Sequence, residues 1–407
     1  MSVAARRDAD CRGGPGSDQA SALAHGIFRA NPRYELVLLD RLSGVERELL
    51  GELEGEDVYG VLRPRSGAGV APRSATSETA LLFLTLNDPA QLPGYVRARL
   101  GEDLERTIAR LVVDDVLEIE HEGRFICGSE AGRRVLTGSS SGGRGRIGEL
   151  SMAALRYGQE LAGLPTGELA LRLYSYGRRP LTPSLASRLP DATAIDAYLG
   201  LQPGGSARAA LDAGWVETAP AAGLRAYWRS WRARGAKSRS GAGYKLYVSP
   251  TLAALPRAFE AVASSVARGQ GVQAFKVGAD LRDLCRPDKL VVYFDRLDDL
   301  QDAATRLEER LGGCPAHGVP FTAAVTSDGL LSWGADPPAL SADVGAMTSW
   351  RLWVSQRLAE YLASGAADDS NALEPWQFAL ERLRLAGIDT DTWIPASGMW
   401  RAARANA

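Results

Sequence analysis

The chain has 407 residues, of which 45% are hydrophobic and 24% charged, and its formal net charge is -2. These values are typical of a globular protein with two or three domains. A net charge this small gives no overall attraction to nucleic acid or to an anionic membrane. No apolar run approaches the roughly 20 residues that cross a bilayer.

The residue types that most often bind metals are scattered along the chain. No two cysteines have the spacing of a zinc knuckle or a redox pair, and no two histidines are close in sequence. They are Cys11, Cys127, Cys285, Cys314, His25, His121 and His317. We therefore expect a reduced, cytoplasmic protein with no metal and no cofactor, and with neither nucleic acid nor membrane as a partner.

The first part of the chain predicts a short α/β unit. Residues 1–26 are polar and predict a disordered lead-in, and residues 27–137 form the unit itself. Two helices, 92–100 and 103–112, precede a β-hairpin at 116–127, which is the pattern of a winged helix. The predicted wing is acidic and would repel a phosphate backbone, so DNA binding is disfavoured. A peptide-binding domain or a purely structural one remain the alternatives.

The predicted organisation changes after a flexible linker at 138–148. Residues 149–235 predict a helical segment, and residues 236–400 predict an α+β domain. Trp228–Arg232 is aromatic and basic. It is interpreted either as a helix end that packs on the next domain or as one wall of a peptide groove.

Lysine usage points to the second half of the chain. The sequence has only four lysines, Lys237, Lys245, Lys276 and Lys289, while every other basic residue except histidine is arginine. Arginine keeps its proton in proteins, whereas a desolvated lysine can lose it and act as a base. The clustering of these lysines therefore indicates a site that needs an amine, unless it is chance.

The same window offers what β-elimination of a phosphate requires: a base for the Cα proton, cations for the phosphate and a proton donor. Lys245 and Tyr247 share one face of a predicted strand, and Lys276 lies on a second strand. The connecting segment and the next strand add Arg282, Arg286, Lys289 and Tyr293. The competing interpretation is a set of surface cations on a small sheet.

Several short motifs resemble the phosphothreonine lyase superfamily, which includes the lyase domains of class III and IV lanthipeptide synthetases. They are GYKLYVSP at 243–250, QAFKV at 273–277 and RPDKLVVYF at 286–294. The segments 318–338 and 349–354 resemble the HopA-type effector family, whose members in class V lanthipeptide and thioamitide pathways are thought to eliminate phosphate from a precursor peptide. The resemblance covers about residues 150–400 and implies a lyase domain at 236–400 with a mainly antiparallel sheet.

The resemblance also implies roles for individual residues. Lys276 matches the lysine base, Arg286 a phosphate-binding arginine and Tyr293 a tyrosine that orders the phosphate. Lys245 matches the first residue of a Lys-x-His motif, but Tyr247 replaces the histidine that is usually the general acid. The remaining phosphate contacts are unassigned, and the candidates are Lys289, Arg282, Arg351 and Arg357.

The resemblance implies a phosphoserine or phosphothreonine lyase that forms dehydroalanine or dehydrobutyrine in a ribosomal precursor peptide. The sequence has no kinase signature. A separate kinase, and a possible cyclase, are therefore expected partners, and the N-terminal unit could hold the leader of the precursor. The alternative is a non-catalytic partner that binds the phosphopeptide or its leader and escorts it to a kinase or cyclase. A winged-helix regulator is a weaker third hypothesis.

Overall fold

The structure is a computed structural model that describes residues 23, 25–50, 58–67, 70, 72–135, 142–218, 227–235, 243–266, 271–337, 349–366 and 373–395. Most of the predicted lead-in, residues 138–141 of the predicted linker and Lys237 lie outside these ranges. The chain divides into two compact units, one of residues 1–139 with 368–374 and one of 140–367 with 375–407. The predicted helical segment and the predicted lyase domain thus fall within the same unit.

The first unit has an α+β fold. Its strands are β1 (Ile27–Ala30), β2 (Tyr34–Leu38), β3 (Val58–Pro64), β4 (Arg73–Thr76), β5 (Ala90–Gln91), β6 (Leu117–His121) and β7 (Arg124–Ile126). Its helices are α1 (Gly44–Leu50), α2 (Ser77–Thr85), α3 (Gly94–Leu100), α4 (Leu104–Val113) and α5 (Gly128–Val135).

One sheet of this unit has the order β5-β1-β6-β7, and α3 and α4 directly precede the β6–β7 hairpin. This is the predicted order of two helices followed by a hairpin. A second sheet, β2-β3-β4, is inserted between β1 and α2. The predicted wing is acidic because it carries Glu118, Glu120 and Glu122. Glu118 is buried and paired with Arg29 at 2.6 Å, whereas Glu120 and Glu122 are exposed.

The second unit contains ten helices and nine strands among its described residues. The helices are α6 (Gly145–Gln159), α7 (Thr166–Tyr174), α8 (Pro183–Arg188), α9 (Ala192–Leu199), α10 (Ser206–Gly214), α11 (Leu255–Val266), α12 (Leu281–Leu284), α13 (Leu297–Leu311), α14 (Trp350–Ala366) and α15 (Pro375–Leu385). The strands are β8 (Trp215–Thr218), β9 (Trp228–Ala233), β10 (Tyr244–Val248), β11 (Val272–Gly278), β12 (Leu290–Phe294), β13 (Ala323–Ala324), β14 (Leu331–Ala335), β15 (Ile388–Asp389) and β16 (Ile394–Pro395).

Seven strands of this unit form one antiparallel sheet in the order β13-β14-β10-β12-β11-β9-β8, which confirms the predicted α+β class with a mainly antiparallel sheet. The interpretation of Trp228–Arg232 as a helix end is wrong, because these residues lie in β9. Strand β9 pairs with β11, so that Lys276 lies opposite Ser230. Trp228 and Trp231 are three residues apart and therefore point to opposite faces of this strand, Trp231 into the apolar core and Trp228 toward Lys276.

The two faces of the sheet differ in chemistry because successive side chains point to opposite sides. Leu246, Phe275 and Val292 belong to a large apolar core that also contains residues of α11 and α13. Lys245, Lys276 and Tyr293 point to the other side. A second apolar cluster is built from α6, α7, α14 and α15.

A bulge in β11 decides which side chains face which side. Val272 lies opposite Phe294, but Ala274 lies opposite Tyr293, so Gln273 is an extra residue in this strand. Beyond the bulge, Phe275 enters the core and Lys276 points away from it. In a regular strand, Val272 and Lys276 would point to the same face, because they are four residues apart. The bulge instead leaves Val272 in the core and Lys276 on the opposite face.

Candidate active site

A small cavity opens on the polar face of the sheet at β10, β11 and β12. These strands are neighbours, with Lys245 opposite Tyr293 and with Tyr247 and Lys276 both opposite Val291. The cavity is small, with about 20 Å³ of space for the centre of a water molecule. Its lining consists of Tyr174, Lys245, Tyr247, Lys276, Asp288, Val291, Tyr293, Ser349 and Arg351. Four of the predicted strand residues, together with Arg351, therefore line one space, and Arg286 lies beside it, against the rings of Tyr174 and Trp228.

Lys276 carries an amine in this cavity that burial makes easy to deprotonate. Its ammonium lies 4.0 Å from the centre of the Trp228 ring and 5.6 Å from that of Tyr293. It forms no ion pair with any residue that the structure describes. Burial, helped by the charge of Lys245, lowers the pKa of Lys276 to about 7. A substantial fraction of this side chain is thus a neutral amine near pH 7.

Lys245 is the second amine of the cavity, and it is paired. Its Nζ atom lies 2.8 Å from Asp336 and 5.4 Å from the centre of the Tyr293 ring. Asp336 also accepts the backbone N–H of Trp350 at 3.0 Å, at the start of α14. The carboxylate therefore fixes Lys245 relative to the helix that carries Arg351.

Tyr247 occupies the position where the motif would have a histidine. The residue is buried, and the pKa of its phenol is raised well above the ordinary value by burial and by the nearby charge of Asp336. Tyr247 is therefore a neutral hydrogen-bond donor, and its phenolate is strongly disfavoured.

Arg286 and Arg351 meet at one buried carboxylate. Arg286 donates through Nε and Nη2 to the two oxygens of Asp288, at 2.9 and 3.0 Å, and Arg351 Nη1 lies 2.9 Å from Asp288. Their charges hold the pKa of Asp288 far below its usual value, despite its burial. Tyr174, from α7, accepts a hydrogen bond from Arg286 at 2.7 Å. The helical segment thus contributes directly to the site.

Two of the predicted phosphate ligands lie elsewhere. Lys289 is 1% exposed and donates to the Pro250 carbonyl and to His317, each at 2.9 Å. His317 Nε2 faces the Gly177 carbonyl at 2.7 Å and must donate to it, so its Nδ1 accepts from Lys289. Burial lowers the pKa of Lys289 to about 7, but the residue does not line the cavity.

Arg282 is an exposed residue of α12 and lines a different surface groove, with Leu281 and Ile195. Its predicted role in phosphate binding is therefore not supported by its position. Arg357 pairs with Glu360 on the partly exposed side of α14 and is also absent from the cavity lining.

Sequence reasoning missed three members of the site. Asp288 and Asp336 lie inside the motifs that carry the resemblance. Asp288 could have been noticed as an acidic residue between Arg286 and Lys289, whereas Asp336 has no basic residue near it in the sequence. Tyr174 had no signal, because it ends a helix 70 residues before the first strand of the cavity. Trp228, offered as a possible groove wall, lies against Lys276.

Within the described ranges, no group of three or more His, Cys, Asp or Glu side chains is arranged to hold a metal ion. The described helices include none with the length and hydropathy of a membrane span.

Comparisons with solved structures find bacterial effectors and lyases. An effector protein from Pseudomonas syringae pv. syringae strain 61 is 11% identical with a TM-score of 0.39, over 62% of this chain and 100% of that chain. The VirA (SpvC) phosphothreonine lyase effector of Chromobacterium violaceum is 15% identical with a TM-score of 0.27, over 41% and 77%. The phosphothreonine lyase OspF of Shigella flexneri is 11% identical with a TM-score of 0.26, over 44% and 90%.

No protein-family profile matches the chain. Among curated proteins, peptide chain release factor 1 of Cytophaga hutchinsonii is 37% identical over 79 residues, which cover 17% of this chain. The matched part spans only 22% of the release factor's length.

Proposed function

We propose that the chain is a phosphopeptide lyase that removes phosphate from phosphoserine or phosphothreonine by β-elimination. The observation that carries this proposal is an amine with a pKa of about 7, Lys276, in the same cavity as Lys245, Arg351 and Tyr293 and close to Arg286. A phosphate-binding site needs only cations, whereas an elimination also needs a base. Lys276 is the group that distinguishes an elimination site from a site that only binds phosphate.

In the proposed reaction, the neutral amine of Lys276 takes the Cα proton of the phosphorylated residue. The electron pair of that C–H bond forms the Cα=Cβ double bond, and the Cβ–O bond breaks with its electrons leaving on the phosphate. A base works best when its pKa lies near the working pH, because it is then both available and strong enough. Burial of Lys276 beside Lys245 supplies this condition.

The phosphate is proposed to bind at Arg286 and Tyr293. The Arg286 guanidinium lies 4.8 Å from the Trp228 ring centre, and Trp228 also contacts Lys276, so Arg286 and the base flank the same ring. Arginine keeps its charge in such a place and matches the geometry of phosphate oxygens. Tyr293 lies between Lys245 and Lys276 and can donate its phenol hydrogen to the same group.

The leaving phosphate needs a proton, and Lys245 is the better donor than Tyr247. Asp336 opposes the loss of a proton from either group, because it lies 2.8 Å from Lys245 and raises the pKa of Tyr247. Burial separates the two, because an ammonium that gives up its proton becomes neutral, whereas a tyrosine becomes a charged phenolate. We therefore assign general acid catalysis to Lys245 and a hydrogen bond to the substrate to Tyr247.

The substrate is proposed to be a ribosomally made precursor peptide of the lanthipeptide type, with dehydroalanine or dehydrobutyrine as the product. The resemblance of the motifs at 243–250, 273–277 and 286–294 to lanthipeptide lyase domains supports this choice. A separate kinase would supply the phosphopeptide, and a cyclase could consume the alkene.

The second candidate is a non-catalytic phosphopeptide-binding partner of a kinase or cyclase. It is favoured by Tyr247, which stands where the motif would have a histidine acid. A purely binding site, however, gains nothing from a lysine whose charge is weakened by burial.

Intact-mass measurement of a phosphoserine and a phosphothreonine peptide incubated with the protein tests the proposal. We expect loss of phosphoric acid and a new alkene that reacts with an added thiol, and neither change with Lys276→Ala. Arg296→Ala, at an exposed position outside the cavity lining, is the matched control and should retain turnover. Loss of the phosphoryl group with water added back would mean hydrolysis and would contradict elimination. Binding without any mass change would support the second candidate.

A further inference from the structure

The carboxylate of Asp288 lies where a phosphate-binding site would not be expected to hold a negative charge. It is 5% exposed, lies in the segment between α12 and β12, and lines the cavity. Its two oxygens are occupied by Arg286 and Arg351, as described above, and Oδ2 also accepts from the Tyr174 hydroxyl at 3.3 Å. A carboxylate so placed repels the phosphate but orders the groups that bind it.

Tyr174 fills the space between the two arginines. The guanidinium carbons of Arg286 and Arg351 lie 5.3 and 4.8 Å from the centre of its ring. Its backbone carbonyl accepts a hydrogen bond from Arg351 Nη2 at 2.8 Å, and the Pro320 carbonyl lies 3.4 Å from Arg351 Nε. Arg351, which is 1% exposed, is thus held by backbone carbonyls at Nη2 and Nε, while its buried Nη1 lies 2.9 Å from Asp288 in an ion pair but makes no hydrogen bond.

The hydrogen bonds of Arg286 are distributed unevenly. Nε and both hydrogens of Nη2 are taken by Asp288 and Tyr174. Nη1 makes no hydrogen bond to any of the residues that the structure describes, so its two N–H groups remain for a ligand. A guanidinium held on one side by a carboxylate and a phenol has lost its side-chain freedom before the ligand arrives.

We propose that Asp288 and Tyr174 are positioning residues that fix Arg286 with its Nη1 group available to the phosphate, while Arg351 is a buried support for Asp288. This inference rests on the proposed phosphate site but not on turnover.

Charge and positioning predict opposite outcomes for Asp288→Asn. If the carboxylate only opposes the phosphate, its removal strengthens phosphate binding. If it positions Arg286, its removal weakens binding, because the guanidinium becomes free to turn away. Tyr174→Phe leaves every charge in place and removes only the hydroxyl, so it isolates the positioning effect.

The test is calorimetric titration of the full chain with inorganic phosphate. We expect binding by the native protein and at least tenfold weaker binding by both Asp288→Asn and Tyr174→Phe. Asp298→Asn and Tyr157→Phe, both at exposed positions outside the cavity lining, are the matched controls and should bind like the native protein. Unfolding temperatures identify any variant that has lost its fold, and Tyr174→Phe then decides the outcome alone.

Unchanged or tighter phosphate binding by a folded Asp288→Asn or Tyr174→Phe variant overturns the inference, as does absence of phosphate binding in the native protein. Phosphate binding that depends on both residues in a protein without elimination activity would sustain the inference and reject the proposed reaction.

A second readout distinguishes positioning from a general loss of structure. The charge of Asp288 raises the pKa of Lys276, so in an active protein Asp288→Asn should move the ascending limb of kcat/KM to lower pH. Tyr174→Phe should leave that limb where it is, while raising KM.

Discussion

Replacing Lys276 by arginine separates the charge of the proposed base from its ability to lose a proton. An ordinary lysine with a pKa near 10.5 has only roughly 3 in 10,000 of its molecules neutral at pH 7, whereas a pKa of about 7 makes about half neutral. Burial beside Lys245 therefore increases the neutral amine by roughly a thousandfold. Arginine cannot be deprotonated in this range. We expect Lys276→Arg to lower kcat by about a thousandfold or more while phosphate still binds.

The assay is kcat/KM as a function of pH, followed by mass loss from a phosphopeptide. The native protein should gain activity as pH rises through about 7, since the base must be neutral, and should level off above it. Lys289 also has a pKa lowered to about 7 but lies outside the cavity, so Lys289→Met is the control. A folded Lys289→Met variant should show the same rise of kcat/KM through about pH 7 as the native protein. Turnover by Lys276→Arg with an unchanged pH profile would refute the assignment of Lys276 as the base.

Three further predictions concern the surroundings of the base. Lys245→Met removes a charge that lowers the pKa of Lys276, so the rise of kcat/KM with pH should move above pH 7. The value of kcat should also fall, because the proposed acid is lost. A rise at unchanged pH would contradict this prediction. Arg282→Ala should leave KM within about twofold, since Arg282 is exposed and outside the cavity, and a large rise in KM would restore it as a phosphate ligand. Gly334→Ala would place a Cβ atom 2.5 Å or less from two ring carbons of Trp350, so chemical denaturation should show a loss of about 1–3 kcal/mol; unchanged stability would mean that the ring can move.

The sequence predicted the strands of the site well because their signals are local. The segments 244–249 and 289–294 predicted β10 and β12 to within a residue or two, and alternation in the first gave the shared face of Lys245 and Tyr247. Rarity of lysine pointed to Lys276 before any pairing was known.

What the sequence could not predict depends on contacts between distant segments. The strand Trp228–Ala233 gains its conformation by pairing with β11, more than 40 residues later. Tyr174 reaches the site from α7, a helix that lies outside the sheet that carries the two lysines of the cavity. Lys289 precedes a strand of the site and was a reasonable phosphate ligand, but the Pro250 carbonyl and His317 take its hydrogen bonds.

The bulge at Gln273 has a consequence for how such a protein can change during evolution. A point substitution at Gln273 leaves the count of residues intact, and Lys276 stays on the polar face. Deletion of Gln273 would remove the bulge, because Val272 and Ala274 would become neighbours like their partners Phe294 and Tyr293, and Lys276 would still face the cavity. Activity should therefore tolerate many amino acids at this position, and the loss of the residue as well. A lineage could shorten β11 by one codon here while keeping the base and every other residue of the site in place.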